Sequence, residues 1–206
     1  MTPLHQTSHI LTPKVLIVGA GPSGLLLALL LSSLSPHPKI TILDAASALN
    51  TAPRATHYGP PAVSVLRRAG ILPIVRQRGF VPRTLCWRKL DGTRIAGFDR
   101  GLMHDAADAL TVLSVGELSV ICVDVLREKG IEVSWGQRVC AVGGMEQGDG
   151  MAWVETEGGA RFEADFVVGC DGGNSGVRRL VLGREGFEGF TWGEQIVATN
   201  VGHKDN

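Results

Sequence analysis

The chain has 206 residues, with 20 Lys+Arg balanced by 20 Asp+Glu, so its formal net charge is zero. That balance argues against a broad nucleic-acid or anionic-membrane surface, since both need concentrated positive charge. A hydrophobic share of 44% and 27 glycines exclude a disordered chain and fit an α/β fold with many tight turns, or a backbone that approaches a ligand closely.

Residues 1–13 (MTPLHQTSHILTP) are polar and proline-punctuated, as in a frayed tail. Residues 14–18 read as a buried strand, 22–34 as a helix and 39–43 (KITIL) as a second, β-branched strand. Such a crossover joins parallel neighbours. The uncharged run VLIVGAGPSGLLLALLL is apolar enough to pass for a membrane span. However, GAGPSG in its middle would break a helix in lipid, and no basic segment precedes it as in a signal peptide. A loop at 45–56 leads to a helix over 61–69 that stops at Gly70. Asp91-Gly92 predicts a hairpin within 85–98, and 99–111 reads as loop. A helix over 117–129 ends at Gly130 with Lys129 in its last turn. Strands follow at 131–135, 138–142, 151–157 and 160–163, the last two joined through Gly158-Gly159. Residues 165–169 form another apolar strand, Ser175 is placed to cap a short helix reaching Leu182, and 195–201 is a final strand.

There are four cysteines, Cys86, Cys122, Cys140 and Cys170, with no CxxC pair, and three lie in apolar runs. They read as buried, reduced thiols of an intracellular protein. The six histidines share no metal-ligand spacing with each other or with cysteine, so no metal site is assigned.

Two glycine clusters carry the chemistry. In VLIVGAGPSG, Gly19, Gly21 and Gly24 fit GxGxxG between a strand and a helix. Gly19 permits the tight turn, Gly21 lets a pyrophosphate approach the backbone, and Gly24 lets the helix pack on the strand. The N–H groups and dipole at the helix start favour phosphate. The second strand ends at Asp44, twenty residues after Gly24, the spacing at which an acid meets adenosine ribose hydroxyls. A dinucleotide site is therefore expected, with the alternative that Asp44 is simply solvated beside a glycine-rich turn. The motif alone does not separate NAD from FAD. In FVVGCDGGNSGVRR, Asp171 ends an apolar strand and two glycines follow. A carboxylate there faces the crevice where open α/β sheets bind ligands, and Gly172 and Gly173 let backbone come near. Alternatively, Asp171 organises a turn with its own backbone.

These motifs, in this order, resemble the flavin-dependent aromatic-ring hydroxylases of the para-hydroxybenzoate and phenol hydroxylase type. The resemblance runs from Lys14 to Val201. It implies a Rossmann-like FAD-binding α/β domain with a parallel sheet, helices and an antiparallel β-meander. It also implies FAD as cofactor, NAD(P)H as electron donor, and O2 and a small phenolic or aromatic substrate as partners, in the cytoplasm. Residue by residue, it assigns GAGPSG (Gly19, Ala20, Gly21, Pro22, Ser23, Gly24), Asp44 and Arg54 of APRATH to the ADP half. It assigns Asp171 and Gly172 to the ribityl chain. Arg178 then organises the motif or meets the nicotinamide cofactor, while Arg179 reads as a solvated helix arginine.

Members of that family are longer. They continue through a substrate-binding sheet and return with a Gly-Asp motif, which is absent here. LSVGEL also lacks the Gln that many members carry before the corresponding helix. The domain expectation is therefore a tail at 1–13, an FAD-binding domain at 14–190 with a substrate-domain hairpin near 80–98, and the start of a largely missing substrate domain at 191–206. No catalytic base can be named. Two other readings stay open: a truncated, non-catalytic FAD-binding remnant, and an NAD(P)-dependent Rossmann dehydrogenase. The latter requires a second mononucleotide-binding half soon after the first, whereas the segment after Asp44 reads as a loop, a helix and antiparallel strands. Nothing in the sequence fixes the oligomeric state.

Overall fold

The computed structural model describes residues 12–52, 57–99, 106–144, 151–183 and 193. β1 (Lys14–Val18) runs into the glycine turn, α1 (Pro22–Ser32) follows with Pro22 at its first position, and β2 (Lys39–Leu43) completes the unit. Proline suits that position because its missing N–H would have no intrahelical partner there. β3 (His57–Tyr58) precedes α2 (Pro60–Arg68) and α3 (Leu72–Arg78). β4 (Thr84–Arg88) and β5 (Arg94–Asp99) form a hairpin, and Asp91 Oδ1 closes its turn by accepting from Thr93 N–H at 2.8 Å. A short 3-10 turn (Ala106–Asp108) leads to β6 (Thr111–Val112), which pairs antiparallel with β3. α4 (Val115–Glu128) starts where Ser114 caps it, its side chain accepting from Glu117 N–H. β7 (Val133–Ser134) is followed by the meander β8 (Val139–Gly143), β9 (Ala152–Thr156) and β10 (Arg161–Ala164). β11 (Phe166–Gly169) then feeds α5 (Gly176–Leu182).

The central sheet has the order β11-β1-β2-β7 and is parallel throughout. β1, at the middle of the sheet, is apolar from Val15 to Val18 without alternation because both of its faces are covered. Val15 and Ile17 face a core shared with α1, α2, α3 and α4, while Leu16 and Val18 face a second core containing Val154 of β9, Ala164 of β10 and Val177 of α5. Ile42 and Leu43 divide between the two cores in the same way. The layers are thus helices, parallel sheet, then antiparallel sheet with α5. The all-round apolarity of α1 has a packing cause. Leu25 and Leu29 are buried against the sheet and α4, and Leu26, Leu27 and Leu31 pack at the edge of the same core. Among the described residues no helix is long and apolar enough to cross a membrane.

The mixed α/β architecture with a parallel sheet and an antiparallel meander is the one expected, and several local readings are corrected. α3 has no counterpart in the sequence reading, because seven residues of LPIVRQR are too short to show a helical period. α4 begins two residues before 117, since Ser114 rather than a later residue is its cap. The 131–135 strand shrinks to Val133–Ser134, the only part paired with β2. The 99–111 loop contains the 3-10 turn and the start of β6. All four cysteines are free, but only Cys122 is buried: Cys140 is exposed on β8, and Cys86 and Cys170 are half-buried. The expected strand at 195–201 and most of the 1–13 tail lie outside the described residues.

Candidate functional site

β1 lies between β2 and β11. Because all three strands are parallel, their carboxyl ends meet at one edge. The glycine turn after β1, Asp44 after β2 and Asp171 after β11 therefore converge, although far apart in sequence. Gly19 N–H donates to the Leu43 carbonyl at 2.7 Å and Cys170 N–H to the Val18 carbonyl at 2.7 Å, which ties the three ends together.

The glycines divide into two roles. Gly19 has φ +111, and a Cβ there would strike the Cys170 carbonyl; a Cβ on Gly24 would strike the Gly19 carbonyl. Both are required for close packing of turn, helix and β11. Gly21 is different: a Cβ on it would enter open space. It is the N-cap of α1, supplies no side-chain cap, and no acidic residue occupies the first turn. The positive end of α1 thus faces the cleft with backbone groups only, as anion binding at a helix start requires.

Asp44 Oδ2 accepts from Ala20 N–H at 2.7 Å and Oδ1 from Ala46 N–H at 2.8 Å. Its backbone is braced by the turn after β7: Asp44 N–H donates to the Ser134 carbonyl at 3.0 Å and Gln137 N–H to the Asp44 carbonyl at 2.8 Å. A carboxylate has about four lone-pair positions, so two backbone bonds leave it capacity for sugar hydroxyls.

Asp171 is engaged more fully. Oδ1 accepts from the Ser175 hydroxyl at 2.5 Å, and Oδ2 accepts from Gly176 N–H at 2.7 Å and Val177 N–H at 3.0 Å. Ser175 Oγ in turn accepts from Arg178 N–H at 3.0 Å, the cap expected from the sequence. Arg178 organises the same loop, donating to the Gly173 carbonyl at 2.9 Å. Burial pushes the Asp171 carboxyl up. The hydrogen bonds from Ser175 and the backbone outweigh that effect and hold it below the usual carboxylate range. Gly172, at φ +85, turns the chain so that its backbone borders the cleft. The Cys170 thiol beside it is pushed up, first by burial and then by the Asp171 charge, so it does not supply a thiolate at neutral pH.

These groups line a cleft of about 390 Å³, a size typical of small-molecule sites. A smaller hollow of about 150 Å³ lies on the other side of Asp44, between Pro22, Val115 and Trp135. Gly19, Gly21, Asp44, Asp171 and Gly172 all border the main cleft, Ala20 and Pro22 border the smaller hollow, and Ser23 lies in the first turn of α1. Arg54 lies outside the described residues. The sequence reading missed Gln137, Arg138 and Val139, which border the same cleft just after β7, and Asn174. Arg179, read as solvated, also borders the cleft. The available signal was topological, since β7 is a further parallel strand and its carboxyl end also faces the crevice.

A glycine turn at a helix start, flanked by a strand-end acid across a parallel sheet, defines a dinucleotide-binding protein. The strand on the far side of β1 is β11, reached through the antiparallel meander, rather than the next strand of a second mononucleotide half. That separates the fold from a two-half dehydrogenase. The sequence model of the FAD binding domain family matches residues 12–203, and the chain belongs to that family. The para-nitrophenol 4-monooxygenase of Pseudomonas sp. (strain WBC-3) is 33% identical over 91% of this chain and 46% of its own length. The 6-hydroxy-3-succinoylpyridine 3-monooxygenase of Pseudomonas putida (strain DSM 28022 / S16) is 32% identical over 91% of this chain and 48% of its own. Among solved structures, p-nitrophenol 4-monooxygenase from Pseudomonas putida DLL-E4 superposes with a TM-score of 0.71 at 28% identity, covering 82% of this chain and 43% of that one. The chain spans about half the length of the curated relatives it matches.

Proposed function

We propose that this chain is the FAD-binding portion of an NAD(P)H-dependent monooxygenase acting on a small phenolic or aromatic ring, with O2 as co-substrate. The single observation that carries the reading is the convergence of the GAGPSG turn, Asp44 and the Asp171–Gly172 turn on one cleft. The relatives named for nitrophenol and a hydroxylated pyridine support the substrate class.

The residues fit the cofactor. Gly19 and Gly24 bring turn and helix together, and the open space at Gly21 gives a pyrophosphate access to the start of α1. Ala20, Pro22 and Ser23 complete that cradle. Asp44 holds the adenosine ribose through its remaining acceptor positions, with Arg54 as a further contact on the ADP side. Asp171 fixes the loop that presents Gly172 backbone to the ribityl chain. The flavin supplies the redox chemistry when bound, and the chain's part is to bind and orient it. Residues 1–13, 14–190 and 191–206 serve as tail, binding domain and beginning of a substrate domain, to which the β4–β5 hairpin also contributes. Four unpaired cysteines favour a cytoplasmic location.

The test is titration of the 206-residue chain with FAD and, separately, with NADH, following flavin fluorescence and melting temperature. Selective stabilisation by FAD supports the reading. A folded chain that ignores FAD refutes it.

A further inference from the structure

Among the described residues, four charged side chains border the main cleft: Asp44, Asp171, Arg138 and Arg179. The two carboxylates and two guanidiniums cancel, whereas the pyrophosphate of a dinucleotide adds two negative charges. Both carboxylates already accept hydrogen bonds from the protein, but their formal charge remains, and a loaded cleft needs cations at its rim. Arg138 immediately precedes β8, and Arg179 is on α5, which packs against β8. Among the described residues, each is held near the cleft by one neighbour. Arg138 Nε lies 3.6 Å from a carboxylate oxygen of Glu157, which directly follows the neighbouring strand β9, and Arg179 Nη1 donates to Asn174 Oδ1 at 2.5 Å. A guanidinium carries five N–H donors in a rigid fork, so one contact apiece leaves donors for a ligand.

We infer that Arg138 and Arg179 form a paired cationic rim that sets the affinity and ionic-strength dependence of dinucleotide binding at this cleft. The inference rests on the FAD reading above and adds two arginines that the motif readings left without a role in binding. The two arginines offset the negative charge that Asp44 and Asp171 bring to the site, so that an acid suited to ribose hydroxyls does not also repel the phosphates. Arg138 is shared between the rim and Glu157, which partly neutralises it.

The experiment measures FAD dissociation constants from low salt to about 0.5 M salt, where screening is nearly complete at these distances. The proteins are the wild-type chain, R138Q, R179Q, E157Q and R127Q. Arg127 pairs with Asp124 on α4, away from the cleft, so R127Q changes net charge equally without touching the rim. Expected are a loss of roughly two- to fivefold for R138Q and for R179Q at low salt, the range for exposed charge pairs. The loss should shrink at high salt, with R127Q unchanged and E157Q equal to or tighter than wild type. If R138Q and R179Q follow R127Q while the wild type binds FAD, the cationic rim is overturned and the FAD reading stands. If the wild type binds no FAD, both fall together.

Discussion

Ala20 donates its backbone N–H to Asp44 Oδ2 across 2.7 Å. The acid at the end of β2 is thereby locked to the glycine turn after β1, and the two halves of the nucleotide cradle are set relative to each other before any ligand arrives. Preorganisation of this kind lowers the ordering cost of binding.

Replacing Asp44 by Asn puts an amide N–H2 where one of the two carboxylate oxygens accepts a backbone N–H. FAD binding should weaken by about 1.5–3 kcal/mol, the range for hydrogen bonds to a charged group. Fluorescence titration checks this, and an unchanged dissociation constant would return Asp44 to a purely local role.

Gly21 and Gly24 should separate binding from folding. Gly24→Ala forces a methyl into the Gly19 carbonyl and should lower stability by about 1–3 kcal/mol, the usual cost of overpacking. Gly21→Ala meets nothing in the protein. It should melt like wild type yet bind FAD poorly, because its methyl occupies the proposed pyrophosphate path. A G21A protein with wild-type affinity would move the pyrophosphate elsewhere.

Asp171 makes stability depend on acid. Its folded carboxyl is held below the usual range, so its contribution is complete above the unfolded value of about 3.9 and is lost as pH falls through the lower folded value. Asp171→Asn should remove that component and flatten the acid limb of melting temperature against pH. Near neutrality it should cost about 1 kcal/mol, a modest figure because the carboxyl is only partly buried. An acid limb that superposes on wild type would contradict the assignment.

Tyr58 offers a stabilising change. Its hydroxyl is buried and finds no hydrogen-bond partner among the described residues. Burial, and then the neighbouring Cys122, push it up to about 12. Tyr58→Phe removes an unsatisfied group and should leave stability equal or raise it by about 1 kcal/mol. Thermal unfolding decides, and a clear loss of stability would mean that the hydroxyl has a partner in solution.

The cradle was legible where a motif is contiguous. GAGPSG, the twenty-residue interval to Asp44 and the DGGNS turn each announce themselves locally, and their meeting follows once three parallel strands are assumed. The part of the cleft formed by Gln137–Val139 was only half legible: a strand was read at 131–135, but its place beside β2 comes from a two-residue pairing that no local motif announces. The engagement of Asp171 was half visible: Ser175 could be read as a helix cap, but its second bond, to Asp171 itself, needs the α5 backbone in three dimensions. α3 and the β3–β6 pair were lost for a related reason, being too short for periodicity to outweigh local composition.

The position of β11 beside β1 has a consequence for biosynthesis. Lys14 N–H donates to an Asp165 carboxylate oxygen across a sequence separation of 151 residues, and the β1–β11 register begins at the same place. While the chain is being made, β1, α1 and β2 can associate early, but one edge of β1 stays unpaired until β11 leaves the ribosome. At roughly 5–20 residues per second, that wait lasts on the order of ten seconds. Throughout it, Leu16 and Val18 lack their cover from Val177 and the meander. The cofactor cannot template the nascent N-terminal unit, because half of its cradle does not yet exist. Flavin loading therefore has to wait until β11 and the Asp171 turn have emerged and paired with β1.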